Sequence, residues 1–140
     1  MLKTIIQASE NFCIHQIRVP HSVGDKINKK RTLIAYIDIE TKDMKTYRVY
    51  LGVDFGFAQR VSTLFLEEDE SDEETLIDMT LETANLIVGS AKVIAEGLDE
   101  NPYTIATPHF EKIDDFNIEY DQLKIIKVED DELIIAIKEL

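Results

Sequence analysis

The sequence predicts an α/β domain of the α+β kind, with a mainly antiparallel sheet flanked by one long and one short helix. Three observations point there. Apolar and polar residues alternate over 33–39 and again over 47–53, the period of half-buried strands. Residues from about 72 to 96 repeat instead with the period of a helix. Further along, 123–128 and 132–137 read as two strands joined by the tight acidic turn Glu129-Asp130-Asp131.

Taken in order, residues 1–31 form a poorly defined N-terminal segment. Cys13 to Val19 reads as a strand and Pro20 to Arg31 as a polar loop. Leu33, Ala35, Ile37 and Ile39 then alternate with Ile34, Tyr36, Asp38 and Glu40. A polar turn over 41–45 leads to Tyr47, Val49, Leu51 and Val53, which completes a hairpin. Asp54 stands where it can cap a short helix of about 55–66, with Phe57, Val61, Leu64 and Phe65 on its apolar side. The run from Glu67 to Glu74 can be an acidic docking tail or the start of the long helix. Ser71 and Glu74 have capping-box spacing, and first-turn acids complement the helix dipole. Gly97 is the expected stop of that helix. Tyr103 to Lys112 reads as one strand. A single domain over 1–140 is the expectation.

Composition limits the function. With 28 acidic and 15 basic residues the net charge is −13, which repels nucleic-acid phosphates and anionic lipid heads. Lys29-Lys30-Arg31 is the only basic cluster. The expected partners are proteins or small ligands, not nucleic acid or membrane. No apolar run approaches the roughly 18 residues of a spanning helix. The first residues lack a secretory apolar core, and one cysteine, Cys13, can form no internal disulfide. A cytoplasmic protein is expected.

The long helix carries the most informative pattern. At about 100° per residue, Asp78, Glu82, Asn85, Gly89, Lys92 and Glu96 fall within an arc of roughly 80°. Ile77, Leu81, Ala84, Val88, Ala91 and Ile94 cover one flank, and Leu76, Met79, Leu86, Ile87 and Val93 much of the rest. The polar stripe is therefore expected to be the helix's only wet surface. Gly89 costs about 1 kcal/mol relative to alanine inside a helix. Close approach of another backbone, from a neighbouring strand or a visiting partner, would account for it.

Other chemistry is not evident. His15, His21 and His109 are scattered, and Cys13 with His15 would supply only two ligands, too few for a zinc site. Nothing resembles a nucleophile elbow, and Gly52 and Gly56 lack both the spacing and the lysine of a phosphate loop. The chain shows no self-contained hydrolytic centre and no metal site.

With its flanks the stripe reads Asp78-x-x-x-Glu82-x-x-Asn85, followed by 22 residues and Pro108. This resembles the signature of the CheC/CheX/FliY phosphatases. The run from Glu82 to Lys92, with Gly89 and the pair Ala91-Lys92, is similar to the helix of the CheX branch. CheC members carry two Glu–Asn pairs and CheX members one; only one is present here. The family begins with an amphipathic helix, which residues 1–31 do not display.

The resemblance implies a CheC/CheX-like fold and hydrolysis of the aspartyl phosphate of a CheY-like response regulator. Asn85 would position the attacking water, and Glu82 would pair with the regulator's active-site lysine. Asp78, Gly89, Lys92 and Pro108 would support the site or contact the partner. The chain itself would bind no cofactor, the Mg2+ being supplied by the receiver domain, and the CheX branch implies a homodimer. The rival reading is a non-catalytic adaptor or flagellar-switch binding module of the same fold.

Overall fold

Branched apolar residues at every second position extend the chain around 31–54, and a turn with Met44 at a positive φ folds it back on itself. The computed structural model describes residues 1–28, 30–98 and 103–140. Its elements are α1 (Leu2–Phe12), a π-helical turn (Cys13–Ile17), β1 (His21–Gly24), β2 (Arg31–Thr41) and β3 (Thr46–Asp54). These are followed by α2 (Phe55–Leu66), α3 (Glu73–Gly97), β4 (Tyr103–Ile105), β5 (His109–Asp115), β6 (Gln122–Val128) and β7 (Asp131–Glu139). The strands form one 7-stranded sheet in the order β1-β6-β7-β3-β2-β4, with β5 also paired to β2. All pairings are antiparallel. No helix among the described residues is long and apolar enough to cross a membrane.

The pleat sorts side chains between two layers. Leu33, Ile37, Val49, Leu51, Val53 and Ile135 face the helices and join Ile5, Phe57, Ala84, Ile87 and Ala91 in the main core. The opposite face is covered more thinly. Ile34, Tyr50, Ile125 and Ile134 pack there beneath Phe116. A Cβ on Gly52 would lie 2.8 Å from the Phe116 ring, so only glycine lets that ring settle onto β3.

One carboxylate ties three elements together. Asp54 ends β3 and caps α2 by accepting from Phe57 N at 2.8 Å, and its other oxygen accepts from Glu132 N at 2.9 Å. Lys30 approaches that second oxygen at 3.4 Å. Burial raises the carboxyl above the usual range, and the two backbone amides pull against that rise.

The structure corrects several expectations. Residues 2–17 are helical, which removes the strand expected from Cys13 onward, because Ile5, Ala8 and Phe12 fall on one helix face and into the core and the helix runs on through Ile17. This is the amphipathic helix that the sequence did not display. The π-helical turn turns both Cys13 and Ile17 inward and closes on Arg18, whose N–H donates to Cys13 O at 2.7 Å with φ at 61°. The segment expected to be a loop contains β1, a short strand on β6.

The cap of α3 is Asp72, accepting from Thr75 N at 2.8 Å, and not Ser71. Ser71 is occupied by Gln59 and Ser62 of α2. Gly97 is the last helical residue and does not adopt a left-handed conformation; Leu98 N closes the end onto Ile94 O and Ala95 O. The expected strand over 103–112 divides into β4 and β5 around 106–108, a stretch that includes Pro108, which has no N–H to offer a ladder.

Cys13 yields a stability prediction. Burial, with the nearby Glu10 carboxylate second, pushes its thiol up from 9.0 to about 11. Between those values the unfolded chain holds fewer protons than the folded one, so stability falls as pH rises. The slope stays below about 1.4 kcal/mol per pH unit, the limit set by one proton. Urea melts at pH 7.5 and 10.5 should show the advantage of wild type over Cys13→Ala shrinking at the higher pH. An unchanged difference would contradict this account.

Candidate functional site

The site is built on the outward face of α3, whose rotation is set by what lies beneath it. Leu76, Thr80, Thr83, Ala84, Ile87, Val88, Ala91 and Ala95 are buried. The hydroxyls of Thr80 and Thr83 donate back to Leu76 O at 2.8 Å and Met79 O at 2.7 Å, which satisfies them inside an apolar layer. Tyr103 OH donates to Val88 O at 3.3 Å and steadies the sheet side of the helix.

With that side held, Asp78, Glu82 and Asn85 are exposed, and Gly89 and Lys92 are half-buried along the same face. Three residues of helix separate Glu82 from Asn85 by about 4.5 Å along the axis and about 60° around it. Neither side chain, nor that of Asp78 or Lys92, makes a hydrogen bond or ion pair with another described residue. A carboxylate and a carboxamide, each with its full bonding capacity unspent, therefore project together into solvent.

The stripe is wider than the periodicity implied. Leu86 is 40% exposed and Val93 66%, so the wet face includes apolar surface beside the polar groups. Buried positions select apolar residues, but apolar residues are not confined to buried positions. Around Gly89, apart from its chain neighbours and the backbone of its own helix turns, no described atom lies within 4 Å of where a Cβ would stand. No neighbouring strand among the described residues accounts for that glycine, which leaves an unfilled approach to the helix backbone.

The other candidates are distributed as follows. Lys92 shares a depression with Glu40, Thr41, Glu96 and Tyr103 towards the end of α3. Pro108 is half-buried in the connection between β4 and β5 and is not on the helix face. His15 is exposed on the π-helical turn, His21 Nε2 lies 3.0 Å from a Glu10 oxygen, and His109 stacks at 5.4 Å on Tyr36. Among the described residues, no three His, Cys, Asp or Glu side chains gather as a metal site would need.

The chain that carries this face has relatives among known proteins. The family model described as chemotaxis phosphatase CheX matches residues 36–129, and the chain belongs to that family. A comparison with curated proteins finds no match. Among solved structures the chain is similar to the chemotaxis protein CheX from Vibrio vulnificus, at 17% identity and a TM-score of 0.79, over 98% of this chain and 97% of that one. A CheX from Desulfovibrio desulfuricans matches at 17% identity and a TM-score of 0.76, covering 99% and 97%. The CheX-CheY-BeF3-Mg+2 complex from Borrelia burgdorferi matches at 17% identity and a TM-score of 0.68, again over 99% and 97%. Identities this low speak for the shared fold, an antiparallel sheet with its helices.

The open space at Gly89 gives a direct test. Gly89→Ala should stabilise the protein by about 1 kcal/mol, because the methyl favours the helix and meets nothing. Chemical denaturation of the two proteins measures it. A destabilised variant would show that a neighbour occupies the space.

Proposed function

We propose that this member of a chemotaxis phosphatase family removes the phosphoryl group from the aspartate of a CheY-like response regulator, using Glu82 and Asn85. One observation carries the reading. Glu82 and Asn85 stand exposed, one turn apart and without partners, on a helix face free to enter another protein's active centre. The family and its signature supply the reaction. The relative crystallised with CheY, BeF3 and Mg+2 supports the class of partner.

The chemistry asks little of this chain. Hydrolysis of an acyl phosphate needs water held in line with the phosphorus, and positioning supplies most of what a catalyst can add. The Asn85 carboxamide cannot abstract a proton near neutral pH. Its oxygen accepts from a water and its NH2 donates, which together hold that water on the attack line. Glu82, acceptor-only when ionised, pairs with the lysine beside the regulator's phosphoaspartate and fixes the register of docking. The magnesium ion and the phosphoaspartate belong to the regulator. Asp78 and Lys92 flank the pair, and Gly89 leaves room for the visiting backbone.

Purified protein mixed with a phosphorylated receiver domain tests this. Asn85→Ala should lower the rate of phosphate loss by roughly 10² to 10³, about 3–4 kcal/mol, while the receiver is still bound. Glu82→Lys should weaken binding as well, since it sets like charges against each other. A wild-type rate from Asn85→Ala would reject the assignment. Binding by the wild type with no acceleration would favour an adaptor.

A further inference from the structure

Beside Asn85 lies a second feature with no role in water positioning. Where α1 and its π-helical turn cross α3, they leave a cleft of about 220 Å³. Its floor is apolar, from the buried Ala8, Phe12 and Ile87, with the exposed Leu86 forming one apolar wall. Its rim carries Asn11, His15, Gln16 and Ser90. Leu86 directly follows Asn85 in the helix, and Ser90 lies one turn beyond Leu86, so cleft and stripe form one continuous surface.

We propose that this cleft is a specificity pocket for the regulator: it takes one uncharged side chain, an aromatic with a polar tip such as tyrosine, from the receiver surface next to the phosphoaspartate. The inference rests on the docking reading above and adds to it what the partner must present.

Size, chemistry and local architecture agree on that occupant. At about 30 Å³ per water, the cleft holds roughly seven waters, the room one large side chain needs. Among the described residues no carboxylate or ammonium lines it, on a chain whose net charge is −13. A charged side chain would lose its hydration there without gaining a counter-charge, whereas a neutral ring would bury its faces. None of the four rim side chains bonds to another described residue, so two amides, a hydroxyl and an imidazole remain free for a polar tip. An apolar floor ringed by polar groups is also the usual setting of an interface anchor.

The π-helical turn supplies His15 and Gln16 to the rim, Asn11 coming from α1 and Ser90 from α3. It sends Cys13 and Ile17 inward and leaves Ile14, His15 and Gln16 outside. Arg18 Nε donates to His15 O at 3.2 Å and closes the turn. The floor is backed by Phe65 of α2, whose ring meets Phe12 edge-on at 6.3 Å.

Ser90→Trp fills the cleft from an exposed helix position and leaves Glu82 and Asn85 in place. With a receiver domain held active by beryllofluoride, its affinity should fall at least about tenfold, the loss expected when one anchor is excluded. In turnover assays KM should rise far more than kcat falls. The double variant Asn11→Ala/Gln16→Ala, which removes only rim amides, should weaken binding by about threefold or more. It decides the matter should Ser90→Trp fail to fold by circular dichroism. Wild-type affinity in either folded protein, or an effect confined to kcat, overturns the pocket. Asn85→Ala separates the two readings: if it abolishes turnover while Ser90→Trp binds normally, the pocket alone falls. If the wild type binds no phosphorylated receiver, both fall.

Discussion

The rotation of α3 about its own axis is the setting on which the rest depends. Ala84, Ala91 and Ala95 are small, so the helix lies close to the sheet, and Ile87 fills the remaining depth. A turn of one residue position, about 100°, would exchange Ala84, Ala91 and Ala95 for Asn85, Lys92 and Glu96 in the interior. Burying an unpaired charge there costs several kcal/mol. The apolar layer below therefore aims the polar groups above. Core packing and the direction of Asn85 are one property seen from two sides.

Most of the scaffold was readable because it rests on local period. The alternation of β2 and β3, the Asp54 cap and the extent of α3 all follow from spacings of two, of three or four, and of a polar residue before a run. The first 17 residues were not, and the reason is physical. Isoleucine-rich stretches favour strands locally, and it is packing on α3 and the sheet that selects helix for Ile5, Ala8 and Phe12. Their i, i+3, i+7 spacing was the signal available. Ser71 does not cap α3 because its hydroxyl and amide are claimed by Ser62 and Gln59, a tertiary contact no local motif encodes.

The Glu82–Asn85 face was legible from one helix and a family signature, whereas the cleft beside it was not. Asn11, His15 and Gln16 come from the segment whose fold the sequence obscured. They meet Leu86 and Ser90 only through long-range packing. Gly89 shows the converse. Its cost was visible in the sequence, and the structure removes the intramolecular explanation among the described residues.

The connection between α2 and α3 has a mechanical consequence. The Gln59 amide reaches Thr63, Glu68 O and both the backbone and hydroxyl of Ser71, and Ser62 bonds Ser71 as well. At the other end of α2, Asp54 joins its first turn to β7. A push on the tip of Asn85 is thus carried into the sheet along two paths, directly beneath α3 and around through α2. The carboxamide stands on a helix held at its sheet side and at its start, so its position is fixed by the layer beneath and not by contacts of its own.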